Sequence, residues 1–132
     1  MDRPLYTQRI CPVRTYDIDS AGIVSNIVYV RWLEDLRLEM FETVYSLEQM
    51  QRSGVVPVVA ATNVAYKRSV TLLEEVSSAM WVAKVGRSSL TLEAEFMVKD
   101  TLVVQATQTC VFVNLAEGKA TPIPAEVRER IG

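Results

Sequence analysis

Two aspartates, Asp17 and Asp19, lie two residues apart in the segment YDIDSAGIV, directly before a glycine and a long amphipathic run. A calcium loop beginning at Asp17 needs an oxygen ligand at its fifth position and a glutamate at its twelfth. The chain has Ala21 and Val28 there. An aspartyl phosphotransferase needs an apolar parallel strand before the first aspartate and a βαβ alternation, and neither is present. A third interpretation, a turn closed by an aspartate side chain, is not excluded by these residues alone.

The chain contains no histidine. This absence removes Ser-His-Asp and Cys-His catalysis and zinc sites of the HExxH type. Cys11 and Cys110 are too far apart in sequence to favour a zinc site and too few for a disulfide framework, so we expect buried free thiols. Acid–base chemistry must then come from carboxylates, lysine, tyrosine or water, and we expect neither a metal nor a bound cofactor.

Length and charge narrow the class of protein. The 132 residues predict a single domain over residues 1–132. Fourteen basic against sixteen acidic residues, a net charge of −2, give no electrostatic reason to bind nucleic acid. The N-terminus lacks an apolar run of signal-peptide length, and the stretch VVPVVAA is too short to span a membrane. We therefore expect a soluble cytoplasmic protein.

Hydrophobic periodicity places the aspartates between a short strand, residues 8–16, and a helix over about residues 27–45. An apolar stripe at spacings of three and four supports the helix, and it consists of Tyr29, Trp32, Leu33, Leu36 and Met40. Val30, Leu38 and Phe41 widen the stripe, which predicts burial over much of the circumference.

After a polar link over residues 46–54, the pattern predicts strands over residues 56–68, 74–85, 89–99 and 101–114, joined at the last two junctions by hairpins. The tail, residues 124–131, predicts a helical turn or two. The predicted class is α+β, with one long central helix wrapped by a curved antiparallel sheet.

The segment YDIDSAGIVSNIVYVRWLEDLR resembles the signature of hotdog-fold thioesterases of the 4-hydroxybenzoyl-CoA thioesterase family, which includes acyl-CoA thioesterases. The matching residues are Tyr16, Asp17, Asp19, Gly22, Val24, Tyr29, Glu34 and Arg37. The resemblance implies the hotdog fold. It also implies a homo-oligomer, a dimer joined sheet edge to sheet edge that often pairs into a homotetramer.

The resemblance also implies roles for individual residues. Asp19 corresponds to the catalytic carboxylate, acting as nucleophile or general base, and the backbone N–H of Asn26 to the group that polarises the thioester carbonyl. Many acyl-CoA thioesterases of the family have histidine where this chain has Asn26. We expect Asp17 and Asp19 to point the same way from an extended segment.

The predicted substrate-binding residues are Tyr29, Arg87, Ser88 and Ser89. Arg87 and the two serines align with family positions near the CoA phosphates, a role for which Lys67 and Arg68 are further candidates. Tyr29 is also compatible with the core, and Glu34 with Arg37 fits a structural pair at i,i+3.

The predicted function is hydrolysis of an acyl-CoA or aroyl-CoA thioester to the free acid and CoA. Two alternatives stay open, a thioesterase for acyl groups on acyl carrier protein and a non-catalytic acyl-binding hotdog module.

Overall fold

The computed structural model describes residues 3–132, so the first two residues of the predicted domain lie outside the described part. A 3₁₀ turn, Thr15–Asp17, follows the first strand. The strands and helices, numbered along the chain, are β1 (Thr7–Cys11), α1 (Asn26–Glu42), α2 (Leu47–Ser53), β2 (Val55–Tyr66), β3 (Val76–Val85), β4 (Ser89–Val98), β5 (Thr101–Asn114), β6 (Lys119–Ala120) and α3 (Ala125–Ile131).

The strands form one antiparallel sheet in the order β1-β3-β4-β5-β2, with the short β6 paired to β5. Register shifts interrupt the ladders, with the extra residue in β2, in β3 and in β5. Such bulges bend a strand and increase its twist, so the sheet curls towards one face. The predicted α+β class with a curved antiparallel sheet is confirmed.

Helix α1 packs on the concave face of this sheet, and its predicted stripe is confirmed because all five residues are buried. The strand predicted over residues 89–99 is also confirmed as β4, and every second residue of it, Leu90, Leu92, Ala94, Phe96 and Val98, is buried on the helix side. Each large apolar side chain of this kind stabilises the fold by about 1.5–3 kcal/mol when it is fully removed from water.

The two ends of α1 lie over different rows of the sheet. At its start, Tyr29 contacts Phe96 with ring centroids 5.4 Å apart. At its end, Phe41 contacts Phe112 at 6.1 Å. Phe96 and Tyr66 both pair with Val104, so one row across β4, β5 and β2 lies under the start of the helix.

The predicted burial of Val30 and Leu38 is wrong for the protomer, where they are 44% and 39% exposed. Phe41, the third residue of that set, is buried. The sheet covers only one stripe of α1, and within residues 3–132 no second layer covers the other. Ile27, Val30 and Leu38 therefore form an exposed apolar stripe on the helix.

Two predicted segments differ from the structure in detail, and a third agrees. Strand β1 ends at Cys11, because Pro12 has no N–H to donate to a ladder, and a 3₁₀ turn replaces the rest of the predicted strand. The polar link contains α2, whose Ser46 hydroxyl accepts from the Gln49 N–H while the Gln49 side chain accepts from the Ser46 N–H. That reciprocal capping is a sequence signal for a helix start. α3 confirms the helical tail.

Candidate active site at the start of helix α1

The Asp19 side chain closes the turn that precedes α1. Its Oδ1 accepts hydrogen bonds from the backbone N–H of Ala21, at 2.9 Å, and of Ile23, at 3.4 Å. The backbone of the turn closes as well, from the Gly22 N–H to the Asp19 carbonyl, with Gly22 at φ 81°. Asp19 is exposed, and within residues 3–132 its Oδ2 accepts no hydrogen bond. One carboxylate oxygen is thus held in the turn, and the other has no hydrogen-bond donor among the described residues.

Asp17 and Asp19 do not share one environment, and the extended segment expected to hold both is wrong, because Asp17 belongs to a 3₁₀ turn. Asp17 ends the 3₁₀ turn, is buried, and accepts from the Arg14 N–H at 2.9 Å. The turn rotates successive side chains in different directions, whereas an extended strand would align every second one. Asp17 instead supports the next segment, since its carbonyl accepts from the Ser25 N–H at 2.9 Å.

The first turn of α1 presents unused donors. Ser25 is the N-cap residue, and Asn26 is the first helical residue, as the sequence indicated. Within residues 3–132 the backbone N–H groups of Asn26 and Ile27 have no hydrogen-bond acceptor. These donors, together with the positive end of the helix dipole, can stabilise a negatively charged oxygen.

A cavity of about 170 Å³ opens beside these donors. It is lined by Ile23, Val24, Asn26, Tyr29, Tyr66, Lys67, Arg68 and Ser69. Ile23 belongs to the turn that Asp19 closes, so this turn borders the cavity, although Asp19 itself is not among the lining residues. Tyr66 also fixes the helix start, because its hydroxyl donates to the Asn26 carbonyl at 3.2 Å.

Tyr29 forms the aromatic wall of this cavity and is only 2% exposed. Its ring makes edge contacts with Trp32 and Tyr66, at centroid distances of 5.2 and 5.7 Å. Burial, reinforced by Tyr66, raises the pKa of Tyr29 to about 12, so its hydroxyl keeps the proton at neutral pH. Tyr29 is therefore part of the core and also lines the cavity at the candidate site.

The loop between β2 and β3 supplies Lys67 and Arg68, the two positively charged residues that line the cavity. Arg68 donates to both carboxylate oxygens of Glu74, at 2.7 and 3.2 Å. The bond from Arg68, with that from the Thr71 N–H, lowers the pKa of Glu74 to about 2. The Val24 N–H donates to the Val70 carbonyl at 2.8 Å and ties the loop to the Asp19 turn. Sequence reasoning missed Tyr66 and Glu74, since no local motif marks them.

The chain matches a known family. Residues 13–131 match the family model of the thioesterase-like superfamily, a range that includes the Asp19 turn, α1 and the whole cavity lining. The chain belongs to this superfamily.

Individual relatives agree. The chain is 28% identical to the long-chain acyl-CoA thioesterase FadM of Escherichia coli (strain K12), over 90% of this chain and 92% of that protein. The structure of the PA2801 protein of Pseudomonas aeruginosa matches with a TM-score of 0.86 and 29% identity, covering 96% of this chain and 98% of that one. A Thermus thermophilus thioesterase complexed with coenzyme A and zinc matches with a TM-score of 0.83 and 27% identity, over 99% of this chain and 94% of that one. The predicted hotdog thioesterase is confirmed, and the chain is a thioester hydrolase.

The other predicted binding residues of this thioesterase lie at the opposite end of α1. Arg87, Ser88 and Ser89 form the β3–β4 hairpin, where Ser89 pairs with Val111 and the Ser88 carbonyl accepts from the Phe112 N–H at 2.8 Å. The 17 residues of α1 span about 25 Å. One protomer therefore does not bring Arg87 to Asp19 and Asn26.

Glu34 and Arg37 form the structural pair that their spacing predicts. Arg37 is buried and also donates to Gln108 Oε1 at 2.9 Å, while Gln108 Nε2 donates to Thr62 Oγ1 at 3.1 Å. This network joins α1 to β5 and to β2, and Arg37, its charged centre, is not among the residues that line the cavity.

Two further observations concern the described part of the chain. Residues 3–132 contain no group of three or more His, Cys, Asp or Glu side chains placed to hold a metal ion. Over the same residues, no helix is both long enough and apolar enough to cross a membrane.

Proposed function

We propose that this thioesterase hydrolyses an acyl-CoA or aroyl-CoA thioester, with Asp19 as the reacting carboxylate and the Asn26 N–H as the donor to the thioester carbonyl. The observation that carries the proposal is the cavity at the start of α1, where free helix N–H groups lie beside a turn whose aspartate keeps one oxygen unbonded. An activated attacking group and a fixed oxyanion donor are the two requirements of acyl transfer.

Two courses of reaction fit this arrangement. As a general base, Asp19 takes a proton from water while the water oxygen bonds to the carbonyl carbon, and the C–S bond then breaks to release the thiolate, which takes up the proton. As a nucleophile, the Asp19 oxygen bonds to the carbonyl carbon and expels the thiolate, and water then hydrolyses the anhydride. In both courses the carbonyl oxygen becomes negative opposite the Asn26 N–H.

The thiols fit this chemistry poorly. Burial raises the pKa of both Cys11 and Cys110 above the ordinary thiol value, so little thiolate exists at neutral pH. Both are buried and free. Their reduced state is consistent with a cytoplasmic location, which is part of this proposal.

The working unit of the proposal is a dimer. Strand β2 is an edge of the sheet, twelve residues long, apolar and mostly exposed. A long exposed edge of this kind favours pairing with another strand. The exposed apolar stripe of α1 formed by Ile27, Val30 and Leu38 also favours burial against another surface. A second copy that pairs β2 with β2 about a two-fold axis accounts for both, because such an interface is self-complementary.

The same symmetry gives Arg87 a role. Antiparallel pairing of β2 with its copy places the Val55 end of one strand beside the Tyr66 end of the other. In each protomer the row Val58–Val111–Ser89 leads from the Val55 end to the Arg87 hairpin. The hairpin of the second copy, with its own Arg87, Ser88 and Ser89, would then approach the Asp19 site and bind the CoA phosphates. Pairing of two such dimers into a tetramer is compatible with this arrangement.

A CoA thioester is preferred to an acyl-carrier-protein thioester because FadM is named as an acyl-CoA thioesterase and the Thermus thermophilus relative is complexed with coenzyme A. The alternative of a non-catalytic acyl-binding module does not agree with a thioester hydrolase of this superfamily.

A hydrolysis screen with Asp19→Asn tests the proposal. Aromatic and aliphatic acyl-CoA thioesters, with matched acyl-carrier-protein thioesters, are assayed for thiol release. The substitution keeps the Oδ1 acceptor of the turn but removes the carboxylate base, so kcat should fall at least about a hundredfold on the best substrate. Circular dichroism and light scattering should match the wild type. A folded Asp19→Asn protein that keeps near-full kcat would falsify the role of Asp19.

A further inference from the structure

The cavity at the start of α1 is lined by groups that donate hydrogen bonds. Its eight lining residues include two tyrosines, Lys67 and Arg68, and none of the eight carries a carboxylate. Glu74, an acid of the same loop, has its oxygens engaged by Arg68 and Thr71. Within residues 3–132 Lys67 makes no ion pair, so its ammonium group is free at the rim.

The Tyr29 hydroxyl is the unusual group of this cavity. The residue is almost fully buried, yet within the described residues the hydroxyl has no hydrogen-bond partner. Buried tyrosine hydroxyls normally have one. No fully enclosed side-chain polar atom of the described residues lacks a partner, so this hydroxyl is not fully enclosed, and Tyr29 is one of the residues that line the cavity. A ligand atom there can accept its hydrogen bond.

The direction of that hydroxyl is fixed by its surroundings. The Tyr29 ring is held by edge contacts with Trp32, Tyr66 and Phe96, so it cannot turn away without unpacking the core. Because the group stays protonated at neutral pH, it acts as a donor to the ligand. A preorganised buried donor discriminates against a ligand that offers no acceptor, since the donor is then left unpaired.

We propose that the acyl group hydrolysed at this site is short and carries an oxygen that accepts a hydrogen bond from Tyr29, as in an oxoacyl, hydroxyacyl or carboxyacyl thioester. The inference rests on the thioesterase function proposed above and names its substrate class. The size of the cavity supports a short group, since about 170 Å³ is below the roughly 300–1,000 Å³ of pockets that hold drug-sized ligands. The free Lys67 ammonium favours the carboxyacyl member.

The test compares CoA thioesters of equal chain length. Butyryl-, 3-hydroxybutyryl-, acetoacetyl- and succinyl-CoA are assayed beside palmitoyl-CoA. The wild type should show a kcat/KM at least about tenfold higher for the best oxygenated substrate than for butyryl-CoA, the difference expected for one hydrogen bond. In Tyr29→Phe, which removes only the hydroxyl, the ratio of the two kcat/KM values should fall to about one. Because both kcat/KM values are measured on the same protein, their ratio does not depend on how much of that protein is folded.

Tyr45→Phe is the matched control. Tyr45 is also a buried tyrosine at 2% exposure, but it lies past the other end of α1 and its hydroxyl contacts Ser53 and the Val55 carbonyl. Its loss should leave the ratio at the wild-type value.

Three results would overturn the inference. A wild type that prefers butyryl- or palmitoyl-CoA leaves the thioesterase function standing but refutes the substrate class. A preference for oxygenated substrates that survives in Tyr29→Phe refutes the role of Tyr29. Hydrolysis of no thioester by the wild type refutes both proposals.

If the Tyr29→Phe protein does not fold, a second measurement on the wild type tests the same inference. Free succinate or acetoacetate should inhibit the wild type at a concentration at least about tenfold lower than butyrate does. Equal inhibition by butyrate would overturn the inference.

Discussion

At the scale of single residues, the site combines fixed groups with free ones. Asp19 holds its turn with one oxygen and leaves the other unbonded, and Tyr29 is immobile in the core while its hydroxyl is unpaired within the described residues. Fixed groups lose little freedom when a substrate binds, which favours preorganised catalysis. The Glu74 carboxylate, in contrast, has no unbonded oxygen, because it accepts hydrogen bonds from Arg68 and from Thr71 and so stabilises the loop.

The Glu74 carboxylate should make stability depend on pH. Its pKa in the folded protein is about 2, below the ordinary value of 4.5, so its contribution is fully present above about pH 4.5 and is lost as the pH falls through about 2. Glu74→Gln should therefore melt below the wild type by a constant interval at pH 5–7, and this interval should shrink between pH 4.5 and 2. Melting curves by circular dichroism measure it. An interval that does not change with pH would contradict the assignment.

At the scale of elements, the buried network ties α1 to the sheet. Arg37 reaches Gln108 on β5, and Gln108 reaches Thr62 on β2. A buried cation is costly unless its donors are satisfied, so the network sets how the helix lies across these two strands.

Gln108→Leu should lower the free energy of unfolding by about 2–3 kcal/mol, because a buried donor of the Arg37 guanidinium loses its acceptor. Gln105→Leu is the control, since Gln105 lies on the same strand but is exposed. Urea unfolding followed by tryptophan fluorescence measures both. Equal losses in the two variants would show that strand propensity, and not the network, determines the effect.

At the scale of the whole molecule, a single protomer holds only part of the proposed site. The Asp19 turn and the Arg87 hairpin lie at opposite ends of α1, about 25 Å apart by helix length. The exposed β2 edge and the exposed α1 stripe both favour contact with a second copy.

The wild type should scatter light as a dimer or tetramer at micromolar concentration. Val30→Lys puts a charge on the α1 stripe and should shift the protein towards the monomer, with loss of turnover. Leu47→Lys is the control, because Leu47 is similarly exposed on α2, outside that stripe. A wild-type monomer that hydrolyses thioesters at full rate would rule out a shared site.

Arg87→Ala should raise KM for CoA thioesters with kcat retained, since binding of the phosphates is lost equally in ground and transition state. The corresponding pantetheine thioester lacks the nucleotide and should be unaffected. Arg52→Ala, which removes an exposed arginine paired with Glu48, is the control. Equal losses on the CoA and the pantetheine substrates would indicate that Arg87 is structural.

The sequence by itself determined helix α1, the four long strands β2 to β5 and the family. The spacing of Tyr29, Trp32, Leu33, Leu36 and Met40 specifies a helix face, and the alternation in β4 specifies a strand face, because side-chain period is a local property of the backbone. The turn at Asp19 and the helix start at Asn26 could also be identified from the sequence, because all of their residues lie close together along the chain.

Only the tertiary structure decided what surrounds that segment. Tyr66, Lys67, Arg68 and Glu74 reach the start of α1 from a strand and loop far along the chain, and no local pattern records that approach. The 3₁₀ turn that ends at Asp17 likewise has no periodic signal. Burial of Val30 and Leu38 failed as a prediction because periodicity shows which residues are apolar, whereas the arrangement of layers determines which of them this chain covers.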